Sequence, residues 1–557
     1  VREVLCALGN GYIVSRAAAP NARADDKHYP GTYLSGGYNR LATDIAGQQI
    51  ENEDLVNLPN WLPLNLQMGG KDGWLHPDRT LFLDYRQVLD LRGGILTRTL
   101  RFRNDAGQVT RWEEKRIVSM DNQHVAALSV TVTPENWSGP MTLRLSVDGG
   151  VTNAGVPRYR ALNGQHLETI DRGTLAGSVL WLRSRMVQSR REIALATRNL
   201  VEIEGDAIRP TKVESSTDEV CAVYQLQARE GRPIHVEKIA AYFNSKDHAI
   251  TEPLAEAVTL VRSADRMADL LHAHSRAWRQ LWEQCDIQIN TGNGAAQLRL
   301  RLHVFHLLQT VQHSVGADVG VPPRGWHGES YRGHIMWDEL FIFPFINLRM
   351  PSLTRALLLY RYRRLGEARS AAREAGLEGA MFPWQSGSNG REESQQIHLN
   401  PMSGRWIADV SRRQRHIGAA ICYNVWQYYE ATGDANFLVD YGAELFFEIA
   451  RFWSSLARRG KNGRYEIAGV MGPDEFHTAY PTDNPSAPTG INNNAYTNVM
   501  VSWLMARAFD VLDRIPSAKR RRLCERLGLK DEDFDLWRSI GCNLVIPMHD
   551  DGILSQF

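Results

Sequence analysis

The chain has 557 residues, which is too long for one compact core, so two or more domains are expected. Its hydrophobic fraction of 43% and charged fraction of 23% are those of an ordinary globular protein. Because 64 Lys and Arg residues face 63 Asp and Glu residues, the formal net charge is +1, which gives no support to nucleic acid or an anionic membrane as a partner. The one basic run, residues 519–522, has helical spacing and is interpreted as a solvated helix face.

The cysteines lie far apart and form no CxxC pair, so we expect neither a disulfide scaffold nor a cysteine-bound metal. They are Cys6, Cys221, Cys285, Cys422, Cys524 and Cys542. No run approaches the roughly 18 apolar residues that a membrane-spanning helix needs. The start, Val1-Arg2-Glu3, carries neither an initiator Met nor a signal peptide. These features predict a cytoplasmic protein that does not bind membranes.

The first 250 or so residues alternate short apolar runs with turn residues. In residues 127–132, Leu128, Val130 and Val132 fall on one face. Similar runs occur at 100–102, 141–147 and 179–182, and turn clusters separate them at 104–107 and 148–150. Many short strands without helical patterns between them are typical of an antiparallel sandwich. We predict that residues 1–250 form an N-terminal antiparallel β-sandwich domain.

Helical periodicity replaces this pattern near residue 250. From Glu252 to about Gln284, apolar residues recur every three or four positions, which predicts a helical linker over residues 251–294. From about Ala295 onward, helical patterns dominate, with one apolar stripe after His416. Paired helices joined by functional loops are typical of a helical barrel or bundle. Residues 295–557 are therefore predicted to be a helical domain, and the chain a multidomain α and β protein.

The first chemically rich loop of the helical region covers residues 326–339. It combines aromatic rings, histidines, an arginine and carboxylates around two glycines, and its candidate binding residues are Arg332, His334, Trp337 and Asp338. Sugar sites need this mixture, because aromatic faces stack on pyranose rings while charged groups bind the hydroxyls. A polar helix start with a buried Trp is the alternative. Metal ligation by His327 with His334 is conceivable, but the sugar interpretation explains more of their neighbours.

A second loop, residues 379–393, contains glycines and a proline that forbid a continuous helix. Its Trp384 lies next to an amide, Gln385, and close to two carboxylates, Glu392 and Glu393. This is again a sugar-like combination, and these four residues are candidate substrate-binding residues. A flexible connector remains the alternative, particularly for the two glutamates.

Two further segments complete the candidate site. In residues 465–477, Gly-Pro fixes the backbone and then presents Asp474 and Glu475 beside Phe476. A carboxyl group next to an aromatic ring has its pKa raised and can donate a proton to a glycosidic oxygen, although a helix cap is equally compatible with these residues. In residues 490–498, Asn493 and Asn494 offer amides suited to hydroxyls, and also to helix capping.

Other enzyme classes are disfavoured by the motifs. The sequence has no HExxH and no GxxxxGK[ST], and Gly9-Asn10-Gly11 lacks the rest of a dinucleotide fingerprint. No resident cofactor and no metal are therefore predicted.

Together these segments resemble glycoside hydrolase family 65, which contains maltose, trehalose, kojibiose and nigerose phosphorylases as well as acid trehalases and kojibiose hydrolases. The similarity covers nearly the whole chain. The segments that carry it are 9–12, 30–39 and 57–61 near the start, Glu329-Ser330-Tyr331-Arg332-Gly333-His334 running into Trp337-Asp338, and Gly472-Pro473-Asp474-Glu475-Phe476-His477. Matches of this length and order are very specific.

The resemblance implies a fold and a set of roles. The fold would be a β-sandwich, a helical linker and an (α/α)6-barrel catalytic domain. Glu475 would be the general acid, and the nonreducing glucose would be held by Trp337, Asp338, Trp384 and Gln385. His416 would line the same cleft. Family members often carry a glutamate at the place of Gln385, so the hydroxyl contact there is expected to differ.

The resemblance also bears on the reaction. Only about 260 residues follow Ala295, so the barrel is expected to be incomplete, and the family's phosphate-binding or water-activating elements are expected beyond Phe557. We favour inverting phosphorolysis of an α-glucosidic disaccharide to β-glucose 1-phosphate and glucose, with inorganic phosphate as co-substrate. An inverting trehalase or kojibiose hydrolase is the first alternative, and a noncatalytic carbohydrate-binding fragment is the second. The expected partners are the disaccharide and phosphate, with a homodimer retained as an alternative to a monomer.

Overall fold

The computed structural model describes residues 2–45, 47–69, 73–290, 292, 294–400, 402–474, 477–481 and 489–557. A sheet-rich part comes first and a helical part follows, so the predicted fold class is confirmed. A short helix, α1 (Arg2–Leu5), precedes the first strand. The strands of the first part are β1 (Leu8–Gly9), β2 (Ile13–Ser15), β3 (Thr32–Ile45), β4 (Gln48–Asn57), β5 (Leu64–Met68), β6 (Leu81–Asp90), β7 (Ile95–Arg103), β8 (Val109–Val118), β9 (Val125–Pro134), β10 (Gly139–Asp148), β11 (Leu167–Leu175), β12 (Val179–Met186), β13 (Glu192–Ile203), β14 (Asp206–Ile208), β15 (Lys212–Ser215), β16 (Glu219–Ala228) and β17 (Ile234–Asn244).

These strands form antiparallel sheets that pack face to face. One sheet has the order β15-β16-β10-β5, and a larger one the order β11-β12-β13-β17-β9-β8-β7-β6, with β14 beside β13. The four predicted runs all lie inside strands, and Leu128, Val130 and Val132 are fully buried. Lys238, on β17 of the larger sheet, donates hydrogen bonds from its Nζ to the Pro63 and Ser146 carbonyls, 3.0 and 2.6 Å away, and so ties the two sheets together.

A further sheet, in the order β1-β2-β3-β4, faces the helical part. The Tyr38 hydroxyl on β3 donates to the Gly333 carbonyl at 2.5 Å. Gly333 has φ +69°, and a Cβ there would lie 2.6 Å from the Leu55 side chain on β4, so glycine is required at this contact. Glu329 accepts hydrogen bonds from the Tyr29 and Tyr33 hydroxyls at 2.5 and 3.0 Å. The sandwich therefore supports the loop that carries the first candidate segment.

The helical part begins with the linker helices. Its helices are α2 (Pro253–Ser263), α3 (Met267–Cys285), α4 (Gly294–Val311), α5 (Glu339–Arg349), α6 (Pro351–Arg363), α7 (Leu365–Glu374), α8 (Ile417–Thr432), α9 (Ala435–Phe437), α10 (Ala443–Leu456), α11 (Ala495–Arg514), α12 (Ser517–Leu527) and α13 (Asp531–Asn543). Short strands pair between them, β18 (Ile397–Leu399) with β19 (Trp406–Ala408), and β20 (Arg458–Arg459) with β21 (Tyr465–Glu466). The linker segment contains two helices, α2 and α3, because the backbone leaves the helical conformation between Ala264 and Arg266.

Apolar stripes fix how the later helices pack. On α8, Ile417, Ile421, Val425 and Tyr428 are buried, as their spacing predicted. Gly433, in the left-handed conformation, ends α8, and Asp434 caps α9. Helix α8 packs against α5, α6, α10 and α11 and so lies inside the helical part. Among the described residues, no helix is long and apolar enough to cross a membrane.

Candidate active site

Four aromatic side chains from separate segments meet at the start of α8. The ring of Trp337 lies 6.1 Å from Trp384, 5.0 Å from His416 and 5.8 Å from Tyr496, measured between centroids. His416 also lies 5.0 Å from Trp384 and 5.6 Å from Tyr496. Three of these five contacts are edge to face, the preferred geometry of aromatic pairs. We call this arrangement the aromatic cleft.

Several polar atoms in the aromatic cleft are buried yet have no hydrogen-bond partner among the described residues. They are both ring nitrogens of His416 and the indole Nε1 of Trp384. Burial lowers the pKa of His416 to about 3, against a smaller opposing effect of the Met471 backbone. The imidazole is therefore neutral near pH 7, with one nitrogen donating and the other accepting. Buried polar atoms are usually paired, so these atoms fit the hydroxyls of a bound sugar.

Glu392 organises the loop that supplies Trp384 and Gln385. Its Oε2 accepts from the Trp384 N–H at 3.0 Å, and its Oε1 accepts from the N–H groups of Gln385 and Ser394 at 3.3 and 3.2 Å. The Arg415 guanidinium lies 3.7 Å from the same carboxylate. The structure thus turns Glu392 toward its own loop, where it positions the binding residues.

His334 fixes the side chain of Gln385. The Nε2 of His334 lies 2.9 Å from the Glu53 carbonyl, which can only accept, so this nitrogen carries the proton. Burial lowers the pKa of His334 to about 3, so its Nδ1 is an unprotonated acceptor. The Gln385 atom placed 3.1 Å from Nδ1 is Oε1, and because two acceptors do not bond each other, we assign the amide the opposite orientation, with its NH2 group toward the ring. This leaves the Gln385 oxygen as an acceptor for a substrate hydroxyl.

Glu393 and Arg332 lie on the sandwich side of the loops. Glu393 is buried and pairs with Arg40 of β3, and burial raises the pKa of its carboxyl. The Arg332 NH2 donates to the Glu393 carbonyl at 3.3 Å, and its guanidinium lies 5.6 Å from the Tyr159 ring. Glu393 thus joins its loop to the sandwich through Arg40, and Arg332 lies between Glu393 and the sandwich loop that carries Tyr159.

Asp338 directly follows Trp337 and precedes the first residue of α5. The next residue, Glu339, is buried in an ion pair with Arg361, whose Nε and NH2 lie 3.0 and 2.9 Å from its Oε2. Burial raises the pKa of Glu339 despite that cation. The Glu339 pair anchors the start of α5, directly after Trp337 and Asp338.

The segment that leads to residue 474 is pinned beside the start of α8. The Met471 N–H donates to the Arg413 carbonyl at 3.0 Å, and the Arg413 NH1 donates to the Gly469 carbonyl at 2.8 Å. Asp474 lies 3.8 Å from His477 across an ion-pair contact. Glu475, the predicted general acid, lies outside the described residues, so its role remains a prediction.

Asn493 and Asn494 hold this segment in place. The Asn493 Oδ1 accepts from the Ile467 N–H at 3.0 Å, with Asn493 itself at φ +52°. Asn494 caps α11 by accepting from the Thr497 N–H at 3.0 Å. A Cβ on Gly472 would lie 2.4 Å from the Asn494 amide, so the turn before Pro473 needs a glycine. The helix-capping alternative is thus realised at Asn494, one residue before the helix that carries Tyr496.

The sequence interpretation missed two residues of the site. Tyr496 contributes a ring to the aromatic cleft, and burial raises the pKa of its hydroxyl to about 12. Arg415 supports Glu392, and burial lowers the pKa of its guanidinium. Tyr496 lies in the segment 490–498 and Arg415 directly precedes His416, but local pattern gives no signal of which side chain faces the cleft. Within the described part of the chain, no three His, Cys, Asp or Glu residues are grouped as metal ligands.

An aromatic cleft with neutral donors and acceptors, in a helical domain that packs on a β-sandwich, is typical of carbohydrate-active proteins. The comparisons with known proteins agree. Residues 1–281 match the N-terminal domain of glycosyl hydrolase family 65, and residues 301–557 match its central catalytic domain. The chain belongs to glycoside hydrolase family 65, as the sequence motifs indicated.

Named relatives extend this finding. The chain is 48% identical over its whole length to an uncharacterized glycosyl hydrolase of Mycobacterium tuberculosis, of which it covers 42%. It is 34% identical, over 90% of its length, to trehalose 6-phosphate phosphorylase of Lactococcus lactis, of which it covers 63%. It is 29% identical to kojibiose phosphorylase of Halothermothrix orenii, covering all of this chain and 69% of that protein.

A solved structure shares the fold. It is described as a candidate kojibiose phosphorylase from human microbiome. The match covers the whole of this chain and 69% of the solved chain, with a TM-score of 0.82 and 20% sequence identity. The chain therefore spans less than half of the Mycobacterium tuberculosis relative and about two thirds of the phosphorylases it resembles.

Proposed function

We propose that the protein containing this chain cleaves an α-glucosidic disaccharide by phosphorolysis with inversion. The products are β-glucose 1-phosphate and the released sugar. The observation that carries the proposal is the aromatic cleft formed by Trp337, Trp384, His416 and Tyr496. The buried ring nitrogens of two of these residues have no hydrogen-bond partner of good geometry among the described residues. Such a lining binds a neutral pyranose by stacking and by hydroxyl contacts.

Glu475 is proposed as the proton donor. It follows Asp474, whose segment is held beside Arg413 at the start of α8, next to His416. In a single step, its carboxyl proton moves to the glycosidic oxygen as the C1–O bond breaks. A phosphate oxygen forms the new bond to C1 from the opposite face, and the released sugar keeps the proton. No second protein carboxylate is needed, because phosphate is already a nucleophile.

The remaining cleft residues hold the glucose that is transferred. The Gln385 oxygen accepts from one hydroxyl, since His334 holds its NH2 group. Neutral His416 donates to one sugar oxygen and accepts from a hydroxyl. Asp338, the neighbour of Trp337 in the chain, accepts from the hydroxyls of the same ring in this proposal. Orientation of this kind lowers the barrier by fixing C1 in line with the attacking oxygen.

Phosphate is favoured over water by the relatives. Several relatives are named as phosphorylases, of trehalose 6-phosphate, kojibiose, trehalose and 1,2-α-glucosylglycerol. The cysteines are also unpaired, which supports a reducing compartment where inorganic phosphate is abundant. Water as nucleophile would require a second carboxylate roughly 6.5 to 9.5 Å from the acid.

The decisive experiment separates phosphorolysis, hydrolysis and binding alone. The protein is incubated with trehalose, trehalose 6-phosphate, maltose, kojibiose and nigerose, each with and without inorganic phosphate. Glucose 1-phosphate that forms only with phosphate, and that NMR shows as the β-anomer at early times, is the expected result. Free glucose formed equally without phosphate would overturn phosphorolysis in favour of hydrolysis. Sugar binding without turnover of any of these compounds would overturn catalysis on them.

A further inference from the structure

The sandwich contains a cavity that shares no residue with the aromatic cleft. Its volume is about 470 Å³, within the range of small-molecule sites. It opens between the edge strand β5, strand β10 and the loops that flank them. Its lining lies entirely within residues 20–219. We call it the Trp74 cavity.

Trp74 is the first reason to regard this cavity as a binding site. The side chain is 40% exposed and lines the cavity wall. Among the tryptophans of the described residues, Trp74 is the only one whose side chain is largely exposed to solvent. The other tryptophans are at least partly buried, and six of them are almost completely buried. An exposed indole in a concave site offers a flat apolar face to a ligand.

Amide groups with unused donors are the second reason. The Asn60 and Asn65 oxygens accept from the Leu62 and Leu66 N–H groups at 3.0 and 2.7 Å, which fixes both side chains. Their NH2 groups make no hydrogen bond with a described residue, and both residues line the cavity. A third amide, that of Asn21, donates to the Leu75 carbonyl at 3.3 Å and so holds the loop beside Trp74.

The charges of the lining nearly cancel. Arg144 lies 3.0 Å from Glu219, whose other oxygen accepts from the Ser146 hydroxyl at 2.6 Å. Arg23, Asp25 and Asp148 supply the remaining charges. Asp148 accepts from the Gly150 N–H at 2.9 Å, and burial raises the pKa of its carboxyl. Two cations against three carboxylates disfavour an anionic ligand, and fixed amides suit hydroxyl groups.

We propose that the Trp74 cavity binds a neutral saccharide of one or two pyranose rings, apart from the catalytic site. The ring stacks on the Trp74 indole, while the Asn60 and Asn65 amides donate to its hydroxyls and Asp148 accepts from one. This inference does not depend on the proposed phosphorolysis, because no residue of the aromatic cleft takes part.

The test uses the whole protein labelled with 5-fluorotryptophan. The fluorine resonance of Trp74 is identified by its absence from Trp74→Phe, and maltose, trehalose and glucose are then titrated. We expect the Trp74 resonance to move saturably with at least one of the three sugars. The shift should persist in Trp384→Phe, which alters the aromatic cleft, and sorbitol should not produce it because sorbitol has no ring to stack.

Affinity provides the second readout. Calorimetry of Trp74→Ala and Asn65→Ala should show about tenfold weaker binding at this site, with unchanged circular dichroism because both side chains meet solvent. The proposal would be overturned if the chemical shift of the Trp74 resonance did not change at sugar concentrations up to about 100 mM, since any dissociation constant would then lie above that range. A shift that depends only on protein concentration would also overturn it, since that would assign the surface to a second copy of the chain.

Discussion

Glu53, on β4 of the sandwich, is hydrogen bonded to Ser388, in the loop that carries Trp384 and Gln385. The Ser388 N–H donates to Glu53 Oε2 at 2.8 Å, and the Ser388 hydroxyl donates to Oε1 at 2.5 Å. The Glu53 carbonyl also holds His334, which fixes Gln385. One residue of the N-terminal part thus positions two segments of the catalytic part, so the sandwich belongs to the functional unit.

Gly387→Ala should break this connection. A Cβ on Gly387 would lie 1.7 Å from Glu53 Oε2, so either the carboxylate or the loop must move. We expect a loss of about 2 kcal/mol in the free energy of unfolding, measured with urea, as for other overpacked sites. The kcat/KM should fall by at least about tenfold, because Trp384 and Gln385 move with the loop.

Gly366→Ala is the matched control. Gly366 lies in α7 with no atom within 4 Å of a Cβ, and its φ is negative. The substitution should stabilise the helix by about 0.5 to 1 kcal/mol and leave kcat/KM unchanged. If both variants behave alike, the link between Glu53 and the loop has no role in the site.

Glu475→Gln tests the proton donor. We expect kcat on the natural disaccharide to fall by about 10²- to 10⁴-fold with little change in KM, because amide and acid bind sugar alike. Activity on α-glucosyl fluoride should be retained, since fluoride leaves without protonation. Steady-state kinetics with both substrates measures the difference. Asp474→Asn, the neighbouring change, should affect KM more than kcat. Equal losses on both substrates would remove the assignment of Glu475 as acid.

Periodicity predicted the fold better than it predicted the site. The stripe of Ile417, Ile421 and Val425 is buried because an amphipathic helix must cover its apolar face, whatever it packs against. The alternation around Leu128 likewise became a core strand. Such local rules need no knowledge of tertiary contacts, so composition and spacing were sufficient for the order of sandwich, linker and helices.

The direction of single side chains could not be read in this way. Glu392 and Glu393 are adjacent, yet one accepts from its own loop and the other pairs with Arg40, more than 300 residues earlier in the chain. Tyr496 reaches His416 only because α8 and α11 pack together. Contacts between distant segments determine these positions. A single sequence, read without its relatives, carries no direct signal of such contacts.

Tyr496→Ala should weaken substrate binding. Its ring packs edge to face on Trp337 and His416, at 5.8 and 5.6 Å. Aromatic pairs of this kind contribute about 0.5 to 1.5 kcal/mol each, and two such pairs are lost, so KM should rise by roughly three- to tenfold. Tyr496→Phe keeps the ring and should raise KM by less than about threefold. As a control, Tyr429→Ala removes a ring that packs on Trp426 of α8 and should lower the melting temperature with KM unchanged.

Lys238 makes the stability of the sandwich dependent on pH. Its ammonium is buried between the two sheets, and burial lowers the pKa of the folded state to about 7 from an ordinary value of about 10.4. Between these values, the unfolded chain binds more protons than the folded one, so the free energy of unfolding rises with pH. The slope contributed by this one group approaches about 1.4 kcal/mol per pH unit and vanishes below pH 7.

Lys238→Met should remove that contribution. Urea unfolding at several values between pH 7 and 9.5 is expected to give a flatter curve than in the wild type, with lower stability at pH 9.5 because the Pro63 and Ser146 carbonyls lose their donor. Lys115→Met, an exposed change on β8 of the same sheet, should leave the slope unchanged. If Lys238→Met showed the same dependence of unfolding free energy on pH as the wild type, that dependence would come from other groups. Lys238 would then stay protonated in the folded state throughout this pH range, held by its two carbonyls.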